Sequence, residues 1–173
     1  MLAPIIKIPF DVDKEKFLDD FDYNRSISNL SYEDEVLKAA GLGAKSYFKI
    51  TRSQDVSTPL LKELSENISK KYNCDARARY YWLKPKRQLW WHVDTGTQCS
   101  LNYVINGNPS KILIADEDLK GPPPKHYEEF TYSSALLNTT KYHTVPNNVN
   151  QERILLKISI FDKTYEEMAK YFM

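Results

Sequence analysis

After Asn73 the sequence breaks into short segments with the alternating or aliphatic pattern of β-strands, each bounded by turn-forming residues. Eight such segments follow one another: Ala76 to Leu83, Leu89 to Asp94, Ser100 to Ile105, Lys111 to Ala115, Tyr127 to Tyr132, Ala135 to Asn138, Tyr142 to Val145 and Ile154 to Phe161. No long helical pattern separates them, whereas parallel strands need crossover connections of a dozen or more residues. The segments therefore predict an antiparallel jelly roll or a similar barrel rather than a parallel α/β fold.

Helical patterns flank this β-rich region on both sides. The predicted helices are Lys14 to Phe21, Tyr32 to Ala40, Thr58 to Tyr72 with Thr58 as N-cap, and Thr164 to Phe172 with Thr164 and Glu167 at capping-box spacing. A length of 173 residues suits one core. We therefore expect a single domain with helices packed on one face: residues 1–73 as mostly helical support, 74–161 as the β-core and 162–173 as a C-terminal helix.

Charge and composition narrow the function classes. The formal net charge is +1, which gives no general electrostatic footprint for nucleic acid or for an anionic membrane. Apolar residues make up 42% and aromatic residues 13%, too many for a disordered segment. Without a membrane-length apolar run or a secretory pattern in residues 1–10, we expect a cytoplasmic protein with no membrane partner. Cys74 and Cys99 are expected to be buried small apolar residues.

The last predicted strand has two different faces. Its even-numbered positions are aliphatic and several odd-numbered ones are polar: Ile154, Leu156, Ile158 and Ile160 against Arg153, Lys157 and Ser159. Alternate residues of a strand point to opposite faces of the sheet. In an exposed sandwich the polar face would meet water, and in a helix-backed barrel it would line a cavity. The placement of the histidines favours the cavity.

Two of the three histidines stand near the ends of predicted strands. His92 and Asp94 are two positions apart, so a strand projects both side chains to the same face. With His143 they would supply two imidazoles and one carboxylate, the facial triad that leaves positions open on Fe(II). The alternative, that each histidine is a hydrogen-bonded structural residue, stays open. His126 follows a proline run and is expected to be a solvent-side loop residue.

The segment after His143 predicts a hairpin. Pro146 to Asn150 is a run of turn-forming residues, and His143 and Arg153 each lie five positions from Asn148. Folding the chain about Asn148 would place these two side chains opposite each other at about 5 Å between Cβ atoms. An arginine so close to a metal ligand is suited to binding a carboxylate. The alternative is a strand-end surface arginine paired with Glu152.

These residues together resemble a known family. The set His92-x-Asp94, His143 and Arg153 over a run of short strands resembles the Fe(II)- and 2-oxoglutarate-dependent oxygenases of the double-stranded β-helix fold. Within them, residues 143–147 (His-Thr-Val-Pro-Asn) with an arginine ten positions after the histidine are most similar to the aspartyl/asparaginyl β-hydroxylase branch. The likeness spans about residues 79–161. That branch carries an Arg-x-His pair where this chain has Ser100 to Tyr103.

The resemblance implies a function and a set of site residues. It assigns His92, Asp94 and His143 to iron, and Arg153 to the far carboxylate of 2-oxoglutarate. Further cofactor contacts are expected from Tyr81, with plain core packing as its alternative, and from Asn102. Strand alternation puts one of Trp90 and Trp91 on the metal side, and parity favours Trp90 as the wall of a substrate pocket, with core packing as its alternative. The implied reaction is hydroxylation by O2 of an unactivated C–H bond in a small-molecule or peptide substrate, namely an amino-acid side chain, with ascorbate as the reductant in assays.

Two other readings remain at the level of sequence. A cupin-like metal enzyme has the same fold without using 2-oxoglutarate, and such sites commonly carry a further histidine or glutamate ligand. A β-sandwich binding module would hold no metal at all. The oligomeric state and the identity of the substrate do not follow from the sequence.

Overall fold

The computed structural model describes residues 1–27, 48–49, 58–83, 91–107, 109–116, 124–146 and 151–173. Within these ranges the helices are α1 (Lys14–Ile27), α2 (Pro59–Tyr72) and α3 (Tyr165–Ala169). The strands are β1 (Ile5–Lys7), β2 (Phe48–Lys49), β3 (Ala76–Leu83), β4 (Cys99–Val104), β5 (Ser110–Ala115), β6 (Tyr127–Tyr132), β7 (Ser134–Leu137), β8 (His143–Thr144) and β9 (Arg153–Ile160).

The strands form two antiparallel sheets. The large sheet has the order β1-β7-β4-β9-β3-β2, and the small sheet has the order β6-β5-β8. An isolated antiparallel bridge between His92 and His143 adds one more position beside β8. Most consecutive strands from β3 onward therefore cross from one sheet to the other, which is the connectivity of a jelly roll. The predicted fold class, a mainly β double-stranded β-helix with flanking helices, is confirmed.

The helices cover the outer face of the large sheet. Phe17 and Phe21 of α1 and Leu61 and Ile68 of α2 are buried in one apolar cluster with the even-numbered side chains of β9. The odd-numbered residues Arg153, Leu155 and Lys157 line a cleft on the other face of the strand. The prediction that the aliphatic face lies beneath helices and the polar face lines a cavity is confirmed.

The half-buried carboxylate of Asp20 joins the two long helices to the sheet. Thr58, the N-cap of α2, accepts a hydrogen bond from the Leu61 amide and donates one to Asp20 Oδ2 on α1, at 3.2 and 2.7 Å. Tyr80 on β3 donates to the same oxygen at 2.6 Å. Burial, then the bond to Asp20, raises the pKa of Tyr80, so its hydroxyl stays protonated. These contacts fix the helical layer on the large sheet.

Several element boundaries match the sequence prediction and others differ. β3 and β6 have the predicted bounds, and the predicted capping box at Thr164 is present. β1 and β2 were not predicted, so the N-terminal segment contributes strands as well as helices. Of the predicted strand Leu89 to Asp94, only His92 forms a bridge among residues 91–94. The predicted helix Tyr32 to Ala40 lies outside the described residues.

The predicted hairpin between His143 and Arg153 is wrong. β8 pairs with β5, while β9 lies between β3 and β4 in the large sheet. The turn residues do separate two strands, but in a jelly roll this connection crosses between sheets instead of pairing its neighbours. His143 and Arg153 therefore approach the same cleft from different sheets. In the described ranges no helix is long and apolar enough to cross a membrane.

Candidate metal centre

His92 and His143 are held side by side by their backbones. Each donates its amide N–H to the carbonyl oxygen of the other, both at 2.9 Å. This reciprocal pair puts the side chains on one face of the small sheet, with ring centroids 4.4 Å apart. Two imidazoles separated by 50 residues of chain are thus brought together by the sheet itself.

Asp94 completes the group. Its amide donates to the carbonyl oxygen of Thr139 at 3.1 Å, which fixes the backbone just after the bridge. Its Oδ1 lies 3.3 Å from His92 Nε2 and 3.7 Å from His143 Nε2. One ligand atom from each of the three residues lies within 4.8 Å of the others. Among the described residues, this is the one group of three or more His, Cys, Asp or Glu side chains whose ligand atoms lie close enough together to hold a metal ion.

The hydrogen bonding of His143 leaves its Nε2 atom without a proton. Nδ1 lies 2.7 Å from the carbonyl oxygen of Lys141, and a carbonyl only accepts, so Nδ1 carries the proton. Burial, followed by the neighbouring His92, lowers the pKa of His143 to about 4, so the ring is neutral at pH 7. Its Nε2 lone pair therefore faces a carboxylate oxygen with no proton between them. A bound cation satisfies both groups, and this donor set fits Fe(II).

Asp94 is ionised and its two oxygens have different neighbours. Burial alone would raise the pKa of Asp94, but the Lys157 ammonium and the two imidazoles outweigh burial and hold it well below its usual range. Lys157 Nζ donates to Oδ2, while Oδ1 faces the histidines. The carboxylate thus presents one oxygen to the metal position.

His92 and His143 line a cleft between the two sheets, with Asp94 beside them. With its open mouth the cleft measures about 380 Å³. Tyr81, Asn102 and Leu155 border it from the large sheet, and Ile112 and His143 border it from the small sheet. The cleft therefore combines apolar walls with a few polar groups, as is typical of small-molecule sites.

Arg153 enters the same cleft and is nearly buried, with 6% of its surface exposed. Its Nη2 donates to the Tyr132 hydroxyl at 2.8 Å, whereas its Nε is buried with no partner among the described residues. The Tyr132 hydroxyl also accepts from Asn102 Nδ2 at 3.2 Å. Glu152, the alternative partner in the sequence, instead accepts a bond from Trp82 Nε1 at 2.8 Å. A buried guanidinium with an unpaired N–H is suited to an anionic ligand.

The remaining predicted site residues are placed as follows. Tyr81 borders the cleft, with Lys157 Nζ 5.3 Å from its ring centroid. Asn102 also borders it, and its Oδ1 accepts from Ser100 at 2.8 Å. Trp90 lies outside the described residues. His126 is exposed and takes no part in the metal-ligand group.

Sequence reasoning placed Lys157 on the cavity face of β9 but missed its contact with Asp94, and it missed Tyr132, the hydrogen-bond partner of Arg153. Lys157 has the same parity as Arg153 on β9, so their shared face was a signal for it. Tyr132 ends a strand whose other residues are exposed or half-buried, and it is buried through contacts with distant parts of the chain. Nothing in the local pattern marks such a residue.

Solved structures that are similar to this chain were found, whereas no similar sequence was found. No protein-family model matches it, and no curated protein matches it. A prolyl-4-hydroxylase from Pseudomonas putida is 9% identical with a TM-score of 0.49, over 92% of this chain and 93% of that protein. A 2OG-Fe(II) oxygenase family oxidoreductase from Burkholderia pseudomallei is 10% identical with a TM-score of 0.39, over 58% and 51%. A cupin domain from Bordetella pertussis is 14% identical with a TM-score of 0.34, over 49% and 80%.

Oxygenases and cupins are thus among the solved structures that this chain resembles. The chain spans about half the length of the Burkholderia protein. At these identities the likeness concerns the fold alone.

Proposed function

We propose that this chain is an Fe(II)- and 2-oxoglutarate-dependent dioxygenase that hydroxylates an unactivated C–H bond of an amino-acid or peptidyl side chain. The observation that carries the proposal is the pairing of two features in one cleft. The bare Nε2 of His143 and the Asp94 carboxylate converge beside His92. A buried arginine whose Nε–H has no partner among the described residues borders the same cleft.

His92, Asp94 and His143 would hold the iron through two nitrogens and one oxygen. Three protein ligands leave positions open for other molecules on an iron that prefers six. The Lys141 carbonyl keeps the proton of His143 on Nδ1 and so keeps Nε2 available.

Arg153 would bind the far carboxylate of 2-oxoglutarate. Its guanidinium is already fixed by the Tyr132 hydroxyl, and Asn102 fixes that hydroxyl in turn. Tyr81 and Asn102 border the space between Arg153 and the metal ligands. When bound, iron and 2-oxoglutarate would activate O2, which is the oxidant: one oxygen atom would enter succinate, formed with CO2 from 2-oxoglutarate, and the other would enter the C–H bond of the substrate. The protein supplies the charge pair, the orientation and the apolar walls.

The histidine count favours this proposal over a cupin-like enzyme with a third histidine ligand. The chain has three histidines and all of them are described. His126, the one left over, is exposed and outside the metal-ligand group. Among the described residues no glutamate joins the group either.

The substrate class follows from the resemblance alone. Residues 143–147 and Arg153 have the pattern of the aspartyl/asparaginyl β-hydroxylase branch. The Arg-x-His pair of that branch is absent here, and the corresponding strand carries Ser100 and Asn102, which hydrogen-bond to each other. Tyr132 and Asn102 would take over the support of Arg153.

The experiment is a turnover assay with a metal titration beside it. The protein is incubated with Fe(II), ascorbate and 2-oxoglutarate against a panel of amino acids and peptides, and both succinate and the mass of the substrate are measured. We expect succinate formation coupled to the gain of one oxygen atom by one class of substrate. An anaerobic titration is expected to show one Fe(II) per chain in the wild type and a large loss of affinity in His143→Ala. Undiminished binding in that variant, or no stoichiometric binding in the wild type, would contradict the proposal.

A further inference from the structure

Lys157 lies at the metal end of the cleft. It stands four residues after Arg153 on β9, on the same face of the strand, and its side chain is 11% exposed. Its ammonium donates to Asp94 Oδ2 and lies over the ring of Tyr81. The two cations of β9 thus have different partners: Arg153 bonds to a neutral hydroxyl, and Lys157 is bound to a metal-ligand residue.

Because of this contact, the two carboxylate oxygens of Asp94 have different partners. Oδ1 is 3.3 and 3.7 Å from the two imidazole nitrogens, so it is the oxygen available to a metal held with them. Oδ2 is taken by Lys157. Carboxylates bind metals through one oxygen or through both, and a second bound oxygen occupies a further coordination position. The lysine prevents this second mode because its ammonium holds the oxygen that the mode requires.

We propose that Lys157 is a positioning residue that keeps Asp94 a one-oxygen metal ligand and thereby keeps a coordination position open for 2-oxoglutarate. The inference rests on the proposed function, since it concerns the same site. It assigns to Lys157 a role that neither the sequence pattern nor the metal-ligand set contains.

The proposed role of Lys157 predicts opposite changes in metal affinity and in 2-oxoglutarate affinity when the lysine is removed. An ammonium beside the metal position repels a divalent cation, so its removal strengthens metal binding, and the freed Oδ2 adds to that gain. The same removal weakens 2-oxoglutarate binding, because the cosubstrate must then displace the second carboxylate oxygen. A lysine that merely stabilised the fold would give the opposite result for the metal, since a loosened site binds its metal less tightly.

The test measures metal and cosubstrate affinity separately and needs no turnover. Mn(II) affinity of Lys157→Met is measured by calorimetry, followed by 2-oxoglutarate affinity of the Mn(II)-loaded protein. Lys157→Gln is measured beside it, so that the comparison stands even where the methionine variant does not fold. Lys157→Arg retains the charge and the donors. Lys111→Met, at an exposed lysine paired with Glu129 at 3.0 Å, is the matched control.

We expect Mn(II) affinity to rise about tenfold or more in Lys157→Met and Lys157→Gln, and 2-oxoglutarate affinity to fall in both. Lys157→Arg and Lys111→Met should remain near the wild type. Unchanged or weaker Mn(II) binding in both neutral variants, with a wild type that binds Mn(II) and 2-oxoglutarate, would overturn the inference alone. A wild type that binds neither would overturn the proposed function, and the inference with it.

Discussion

Arg153 and Tyr132 form a buried polar pair whose hydrogen-bonding capacity is not used up within the described residues. The Tyr132 hydroxyl accepts from Arg153 and from Asn102, and Arg153 Nε has no partner there. Buried donors without acceptors cost free energy unless a ligand satisfies them. The pair is therefore costly to maintain in the empty protein and becomes favourable when an anion binds.

Replacing Arg153 tests this account at the level of one residue. Arg153→Ala is expected to weaken 2-oxoglutarate binding by about 2–5 kcal/mol, because the cosubstrate carboxylate loses its charged partner. The measurement is calorimetric titration of the Mn(II)-loaded protein. Arg153→Lys keeps the charge and loses the planar fork, so its affinity should lie between the two. Equal affinities in wild type and Arg153→Ala would remove Arg153 from the site.

Cys99 gives a pH-dependent prediction away from the site. Burial raises the pKa of its thiol to about 12, from an ordinary value near 9. The unfolded chain therefore loses this proton at lower pH than the folded chain. The contribution of the neutral thiol to the free energy of unfolding is intact below pH 9 and is lost as the pH rises from 9 toward 12.

Urea unfolding of wild type and Cys99→Ala at pH 8 and pH 10 measures this contribution. We expect the stability difference between the two proteins to shrink by about 1 kcal/mol over that interval. A difference that stays constant would mean that Cys99 ionises in the folded protein as readily as in the unfolded chain.

β9 is the element that connects the stability of the fold to the site. Its even-numbered side chains are buried against the helices, and its odd-numbered ones border the cleft. It lies between β3 and β4, so both of its edges are hydrogen-bonded to neighbouring strands. A single strand thus contributes to the core, borders the cleft through Arg153 and supports Asp94 through Lys157.

Substitutions at two consecutive leucines of β9 distinguish its contribution to the core from its contribution to the cleft. Leu156→Ala, in the helix-side core, is expected to lower the free energy of unfolding by about 2–5 kcal/mol through a cavity that cannot collapse, with metal affinity unchanged. Leu155→Ala should cost less, since Leu155 borders existing space. Urea denaturation and Mn(II) titration of both variants make the comparison, and a larger loss at Leu155 would contradict it.

The elements that the sequence predicts well are those defined by local signals. β3 and β6 follow alternation between turn residues, and α2 begins where Thr58 caps it. β1 has three residues and exists because β7 offers it an edge, which no local pattern records.

The candidate metal-ligand residues could be proposed from the sequence because three histidines leave few combinations, and the structure brings His92, Asp94 and His143 together. The reasoning that placed Arg153 near them was wrong in its pairing. It assumed that neighbouring strands form a hairpin, and the partner of a strand in a jelly roll is set by the whole topology. The face on which Lys157 lies was predicted from the alternation of β9, but its contact with Asp94 was not, because that partner lies 63 positions away.

At the scale of the molecule, the site spans the interface between the sheets. His143 belongs to the small sheet, whereas Arg153 and Lys157 belong to the large sheet. A metal and a cosubstrate bound between them would connect the two sheets directly. Ligand binding should therefore stabilise the whole fold and not just the loops around the site.

Thermal and urea unfolding with Mn(II) or with EDTA measure this connection. At a free Mn(II) concentration 100 times its dissociation constant, we expect a gain of about 2.7 kcal/mol in the free energy of unfolding. The same additions should leave His143→Ala unchanged. Equal stabilisation of the variant would show that Mn(II) acts at another place on the protein.

The reciprocal amide bonds between His92 and His143 have a consequence for how such a protein tolerates change. The separation of the two imidazoles is set by the spacing of an antiparallel bridge, so it does not depend on the length of the chain that connects them. Insertions at the turns between the strands would lengthen the rim of the cleft and leave the donor atoms where they are. Natural variation and laboratory redesign are thus free to change the turns while the candidate metal centre keeps its dimensions.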